Sequence, residues 1–124
     1  MRRWTVALAT CFSLALTLGA VFAPTASANR EDCPAQYVCL WDGPTFGEDR
    51  RQFHDNGLQN LSDFSFNDRT SSIFNNTNRW AAIYEHAWGG GGRRCIRPGQ
   101  SYSLSGDVLN NQASSIVISP SAIC

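Results

Sequence analysis

From Tyr37 onward the apolar positions fall in short clusters separated by Gly, Pro, Asn and Asp. The first series is "YVCLW" (37–41), "RRQF" (50–53), a run near "LQNLS" (58–62) and "SSIF" (71–74). A second series follows: "WAAIY" (80–84), "RRCI" (93–96), "SYSLS" (101–105) and "SSIVI" (114–118). β-Branched and aromatic residues bounded by turn formers predict strands. No stretch repeats apolar residues at i, i+3, i+4 and i+7, so little helix is expected. "LQNLSDFSF" (58–66) is compatible with one helical turn.

The two series are one pattern written twice. Sliding the chain by 43 residues aligns 37–75 with 80–118 without a gap. Nine of the 39 pairs are identical, where composition alone gives roughly two or three. They are Gly47/Gly90, Arg50/Arg93, Arg51/Arg94, Leu61/Leu104, Ser62/Ser105, Asn67/Asn110, Ser71/Ser114, Ser72/Ser115 and Ile73/Ile116. Bulky apolar positions correspond too, among them Leu40/Ile83, Trp41/Tyr84, Phe53/Ile96 and Phe66/Leu109. A fixed period marks a duplicated unit, each copy needing the other to bury its apolar face. Four strands per copy predict an all-β, eight-stranded sandwich of two Greek-key motifs related by a pseudo-twofold axis.

The leading segment reads differently. "MRR", a long apolar run and "TASA" have the order of a secretory signal peptide cleaved after Ala28. An uncleaved anchor is the competing reading, since the run is nearly long enough to span a bilayer. Cleavage leaves residues 29–124 as a single domain, with motif one at 33–78 and motif two at 79–124. That part carries eight arginines against ten acids and no lysine, so neither nucleic acid nor anionic membrane is an expected partner. A secreted monomer, with no membrane attachment after cleavage, is the expectation.

Secretion changes the reading of cysteine. Cys33, Cys39, Cys95 and Cys124 remain after cleavage, and an even count in a small extracellular chain predicts two disulfides. Three pairings are open. We favour Cys33–Cys39, which flank "PAQYV", leaving Cys95–Cys124. A zinc site is disfavoured, because C-x-x-C is missing and His54 and His86 have no ligand spacing.

The hexapeptides "NDRTSS" (67–72) and "NNQASS" (110–115) close the two copies. A Greek-key motif of forty-odd residues, present twice and ending in N/D-N/D-x-x-S/T-S, resembles a βγ-crystallin domain. With "CPAQYVCLW" behind a signal peptide, the chain also resembles the bacterial secreted branch classed as metalloproteinase-inhibitor-like. The resemblance covers residues 33–119. It implies calcium ligands from Asn67, Asp68, Arg69 (through its carbonyl) and Ser71 in the first copy. In the second it implies Asn110, Asn111, Gln112 (through its carbonyl) and Ser114, each site being completed by the partner copy. Ser72 and Ser115 brace the hairpins on this reading. Calcium takes six to eight oxygens, and with Asp68 the one ionised ligand, affinity in the range of roughly 0.1–1 mM is expected. The Asp68 site should be the tighter. Turn chemistry alone would equally place Asx and Ser at these positions.

The hairpins depart from the family pattern. Gly47 comes one residue early, and Tyr84 and Trp88 are four apart where five is usual, so irregular hairpins are expected. Enzyme signatures such as G-x-S-x-G and H-E-x-x-H are missing, and no enzymatic activity is expected. His54-Asp55 is a poor catalytic pair if both lie on one strand, where neighbours face opposite ways. The arginine pairs at 50–51 and 93–94 are read as solvated strand edges. Two function classes remain. One is a peptidase inhibitor of a secreted metalloprotease, presenting loops 42–49 and 86–92, with Gly43, Pro44, Phe46, Trp88, Gly89 and Gly90 as candidate contacts. The other is a calcium-stabilised binding or toxin-like module for a cell surface or glycan, favoured if Trp41, Trp80 and Trp88 share an exposed patch.

Overall fold

The computed structural model describes residues 29–124, so the signal-peptide reading of residues 1–28 lies outside the described residues. Eight strands follow in order: β1 (Val38–Trp41), β2 (Arg50–Phe53), β3 (Gly57–Asn60), β4 (Ser72–Asn75), β5 (Trp80–Tyr84), β6 (Arg93–Ile96), β7 (Ser101–Ser103) and β8 (Ser115–Ser119). Helix among the described residues is limited to 3-10 turns at Arg30–Asp32, Leu61–Phe64 and Ala87–Gly89. The second of these is the helical turn compatible with "LQNLSDFSF".

Two four-stranded antiparallel sheets form, in the orders β2-β1-β4-β7 and β3-β8-β5-β6. Each copy gives its third strand to the other copy's sheet. β3 pairs with β8, Leu58 opposite Val117, and β7 pairs with β4, Tyr102 opposite Ile73. Neither copy can complete a sheet alone, which is the physical content of the duplication. The chain has the βγ-crystallin-like, all-β architecture of two Greek-key motifs.

Period-two alternation sets the core. Val38 and Leu40 of β1, Ile73 of β4, Ala81 and Ile83 of β5, and Ile116 and Ile118 of β8 meet between the sheets. Phe66 and Leu109, at equivalent points before the two hexapeptides, are buried beside them. The other face of β1 is covered as well: Cys39 and Trp41 pack with Cys33, Tyr37, Phe46 and Phe74. This explains why "YVCLW" reads as continuously apolar. Disulfides join Cys33 to Cys39, with Cα atoms 5.9 Å apart, and Cys95 to Cys124, 6.4 Å apart.

Candidate metal-binding arches and hairpin loops

The two hexapeptides form arches that face each other. Asp68 and Asn111 occupy the left-handed region at φ 56° and 55°, which Asx tolerates better than bulkier residues. The turn lets each donate its amide to the opposite arch: Asp68 N–H to Ala113 O at 2.9 Å, Asn111 N–H to Thr70 O at 3.0 Å. Side chains cross in the same sense. Ser71 donates its hydroxyl to Asn111 Oδ1 at 2.8 Å, and Ser114 donates to Asp68 Oδ1 at 3.3 Å. The serine of each copy therefore meets the Asx of the other, giving two mixed oxygen pairs.

Such an oxygen set suits a hard divalent cation such as calcium. Among the described residues, Asn110 Oδ1, at the start of the second arch, is buried without a hydrogen-bond partner. Asn67 is exposed. No group of three or more His, Cys, Asp or Glu side chains capable of holding a metal occurs among the described residues. Carbonyl and hydroxyl oxygens would therefore have to supply much of the coordination.

Charge is distributed unequally between the arches. Arg69 donates from Nε and Nη2 to Asp42 Oδ2 at 3.2 and 2.8 Å, and from Nη2 to Asp49 Oδ2 at 3.1 Å. It also donates from Nη1 to Ser65 O at 3.0 Å and lies over the Phe66 ring, 5.0 Å from the centroid. Asp42 and Asp49 in turn push the Arg69 pKa up, and hydrogen bonds from Arg51 and then Arg69 hold the Asp49 carboxyl below the usual range. The equivalent residue in the second copy is Gln112. There, among the described residues, Glu85 Oε2 accepts only a backbone amide, from Gly92 at 3.2 Å.

Both hairpins close with the same bonds despite their irregular intervals. Gly43 N–H donates to Gly47 O at 3.0 Å, and His86 N–H to Gly90 O at 2.9 Å. Gly43 is required there, since a Cβ would stand 2.8 Å from Gly47 O. Ser72 and Ser115, buried at the starts of β4 and β8, hold the two loops. In the first hairpin Phe46 folds back on Trp41, edge to face with centroids 5.3 Å apart. In the second, Gly89 takes that position and the aromatic stands one residue earlier. Trp88 is 78% exposed, at φ 62° and ψ 26°, and buried Asn60 of β3 accepts its N–H at 2.9 Å. Trp41 is buried at 3% exposure, so Trp41, Trp80 and Trp88 do not form one exposed patch.

Several residues play roles that the sequence reading missed. The arginine pairs are not simply solvated edges. Arg51 donates from Nε to Phe64 O at 2.9 Å and lies over Phe66, tying down the turn before the first arch. Its equivalent Arg94 pairs with Asp107 and lies over Tyr102 before the second. Their identity across the repeat was the available signal. His54 and Asp55 do meet, with Nδ1 and Oδ1 2.9 Å apart, because both lie beyond the end of β2 at Phe53. Both are exposed, and Tyr37 stacks on the imidazole.

Comparison with known proteins agrees with the fold. The chain is similar to a domain solved in work on the evolution of the eye-lens βγ-crystallin fold, at 22% identity and a TM-score of 0.65, covering 72% of this chain and 91% of that one. A βγ-crystallin from Ciona intestinalis aligns at 21% identity and a TM-score of 0.58, covering 66% of this chain and 98% of the other. An archaeal βγ-crystallin aligns at 26% identity and a TM-score of 0.54, covering 68% and 99%. A search of curated proteins finds no match. The model of peptidase inhibitor family I36 matches residues 26–96, more than half of the sequence, and the chain belongs to that family.

Proposed function

We infer that residues 29–124 act as one secreted, monomeric domain that inhibits a metalloendopeptidase, with calcium bound weakly at the arches. The observation that carries the inhibitory reading is the 86–92 loop. It offers an exposed Trp88 on a backbone pinned by Asn60, Ser115 and the His86–Gly90 bond. A preorganised loop loses little conformational entropy on docking and resists entry into a cleavable extended form. Exposed aromatics in fixed positions are the usual energetic anchors of interfaces. Loop 42–49 lacks this feature, because Phe46 is folded onto Trp41.

The test is titration of the processed protein into a thermolysin-type enzyme with a peptide substrate. Stoichiometric loss of activity is expected, and rapid digestion of the protein without inhibition would sink the reading. The calcium part is tested separately by melting with calcium and with chelator. Ligand linkage gives a stabilisation of about 1–2 kcal/mol at ten times the dissociation constant. Identical melting curves would remove calcium from the account.

A further inference from the structure

Each mixed oxygen pair lies against one hairpin. Trp41 O accepts the Ser71 amide and Tyr84 O accepts the Ser114 amide, both at 2.8 Å. The next residues in chain order are the acids Asp42 and Glu85. The Ser71–Asn111 pair thus adjoins the Asp42 hairpin, and the Ser114–Asp68 pair adjoins the Glu85 hairpin. The duplication makes the two surroundings alike in backbone, and position 69/112 makes them unlike in charge.

We propose that Arg69 is a built-in cation for the first hairpin and arch, so that this chain takes one calcium ion, at the Asp68–Ser114 pair, where its duplication would allow two. The proposal rests on the calcium reading above. Arg69 ties together Asp42 and Asp49 of the hairpin, Ser65 of the preceding turn, and its own arch. Asp49 is shared with Arg51, whose Nη1 stands 3.3 Å from the other carboxylate oxygen. Two carboxylates therefore face two guanidiniums, and these four charges cancel. Asn111, Ser71 and backbone oxygens are all neutral. At the other pair, Asp68 and Glu85 are both acids, and Gln112 brings no charge. Carboxylate count is a principal determinant of calcium affinity, so the asymmetry selects one site over the other. A guanidinium held by several acceptor oxygens and an aromatic face is also a permanent fixture, which calcium in dilute solution is not.

The experiment uses the processed chain and the variants Arg69→Gln, Arg69→Lys and Asp68→Asn, with calcium chloride titrated calorimetrically and melting followed in EDTA. Wild type should bind one ion. Arg69→Gln, which installs the second copy's residue, should melt lower in EDTA, bind two ions and regain its melting temperature in calcium. Arg69→Lys keeps the charge and should stay at one ion, which guards against a folding defect in the glutamine variant. Asp68→Asn should lose the wild-type site. Two ions in wild type, or one in Arg69→Gln with wild type also at one, would overturn the built-in cation while leaving calcium binding intact. Unchanged binding in Asp68→Asn would overturn the choice of site. No binding by wild type or Arg69→Gln would overturn the calcium reading itself, and the proposal with it.

Discussion

Ser72 and Ser115, 43 residues apart, make the same two hydrogen bonds with their hydroxyls. Ser72 donates to Gly43 O at 2.6 Å and accepts from Phe46 N–H at 3.0 Å; Ser115 donates to His86 O at 2.7 Å and accepts from Gly89 N–H at 3.0 Å. Both residues are fully buried. Each hydroxyl thus fixes a hairpin to the strand that follows its own arch. Alanine at either position leaves an amide and a carbonyl without these partners, which costs about 1–3 kcal/mol. We expect Ser115→Ala to lower the urea midpoint accordingly. It should also open 86–92 to limited proteolysis, whereas Ser72→Ala should open 42–49 instead.

Trp88→Ala separates recognition from stability. An exposed side chain away from packing changes folding free energy by no more than about 0.5 kcal/mol, and alanine keeps the Cβ, so the left-handed φ at this position is little changed in cost. An interface anchor, by contrast, contributes about 2 kcal/mol or more, roughly thirtyfold in affinity. We expect the inhibition constant to rise by that factor with the urea midpoint unmoved. Trp41→Ala should do the reverse in character, losing about 3–5 kcal/mol of stability because its ring is buried against Phe46 and the Cys33–Cys39 bridge.

The strands were legible because β-branched and aromatic clusters such as "YVCLW", "WAAIY" and "SSIVI" are bounded by turn formers, and the repeat placed the polar third strands that apolar content left vague. The exchange of β3 and β7 between sheets was not legible from local pattern. "GLQN" and "SYS" have too little apolar character to announce which neighbour they pair with. The arches were found as motifs, but the direction of Arg69 was not. A long side chain at an arch position can extend to solvent or fold back, and only the placement of Asp42 and Asp49 decides. Trp88 was already a candidate contact, but the outward turn of its ring was hidden for a related reason. Its sequence interval from Tyr84 reads as a distorted copy of the Trp41–Phe46 pair, whereas the backbone keeps the copy intact and moves only the ring.

The two disulfides should contribute unequally. They close segments with sequence separations of 6 and 29. In the chain-entropy model the shorter gives about 2 kcal/mol and the longer about 3–4 kcal/mol. Loop closure alone therefore makes replacing Cys95 and Cys124 by serine the costlier change, and the packing loss of the buried Cys33 and Cys39 sulfurs narrows the difference. Chemical denaturation of both double variants checks the order.

Asp107 is expected to set the acid limit of stability. Its side chain is 6% exposed. Burial alone would raise its pKa, but the Leu109 amide, Arg94 and the Tyr102 hydroxyl donate to it and together hold the carboxyl below the usual range. A carboxyl depressed in the folded state stabilises fully above its unfolded pKa of about 4, and the contribution is lost as pH falls through the lower folded value. Asp49 is depressed too, but it lies at the surface, where solvent screening leaves little of the effect. Acid sensitivity below about pH 4 should therefore trace largely to Asp107, the residue that fixes the turn before the second arch. Asp107→Asn should be less stable than wild type at pH 7 and should show a flatter decline between pH 4 and pH 2. Parallel acid-unfolding curves for the two proteins, offset by a constant amount, would place the titrating group elsewhere.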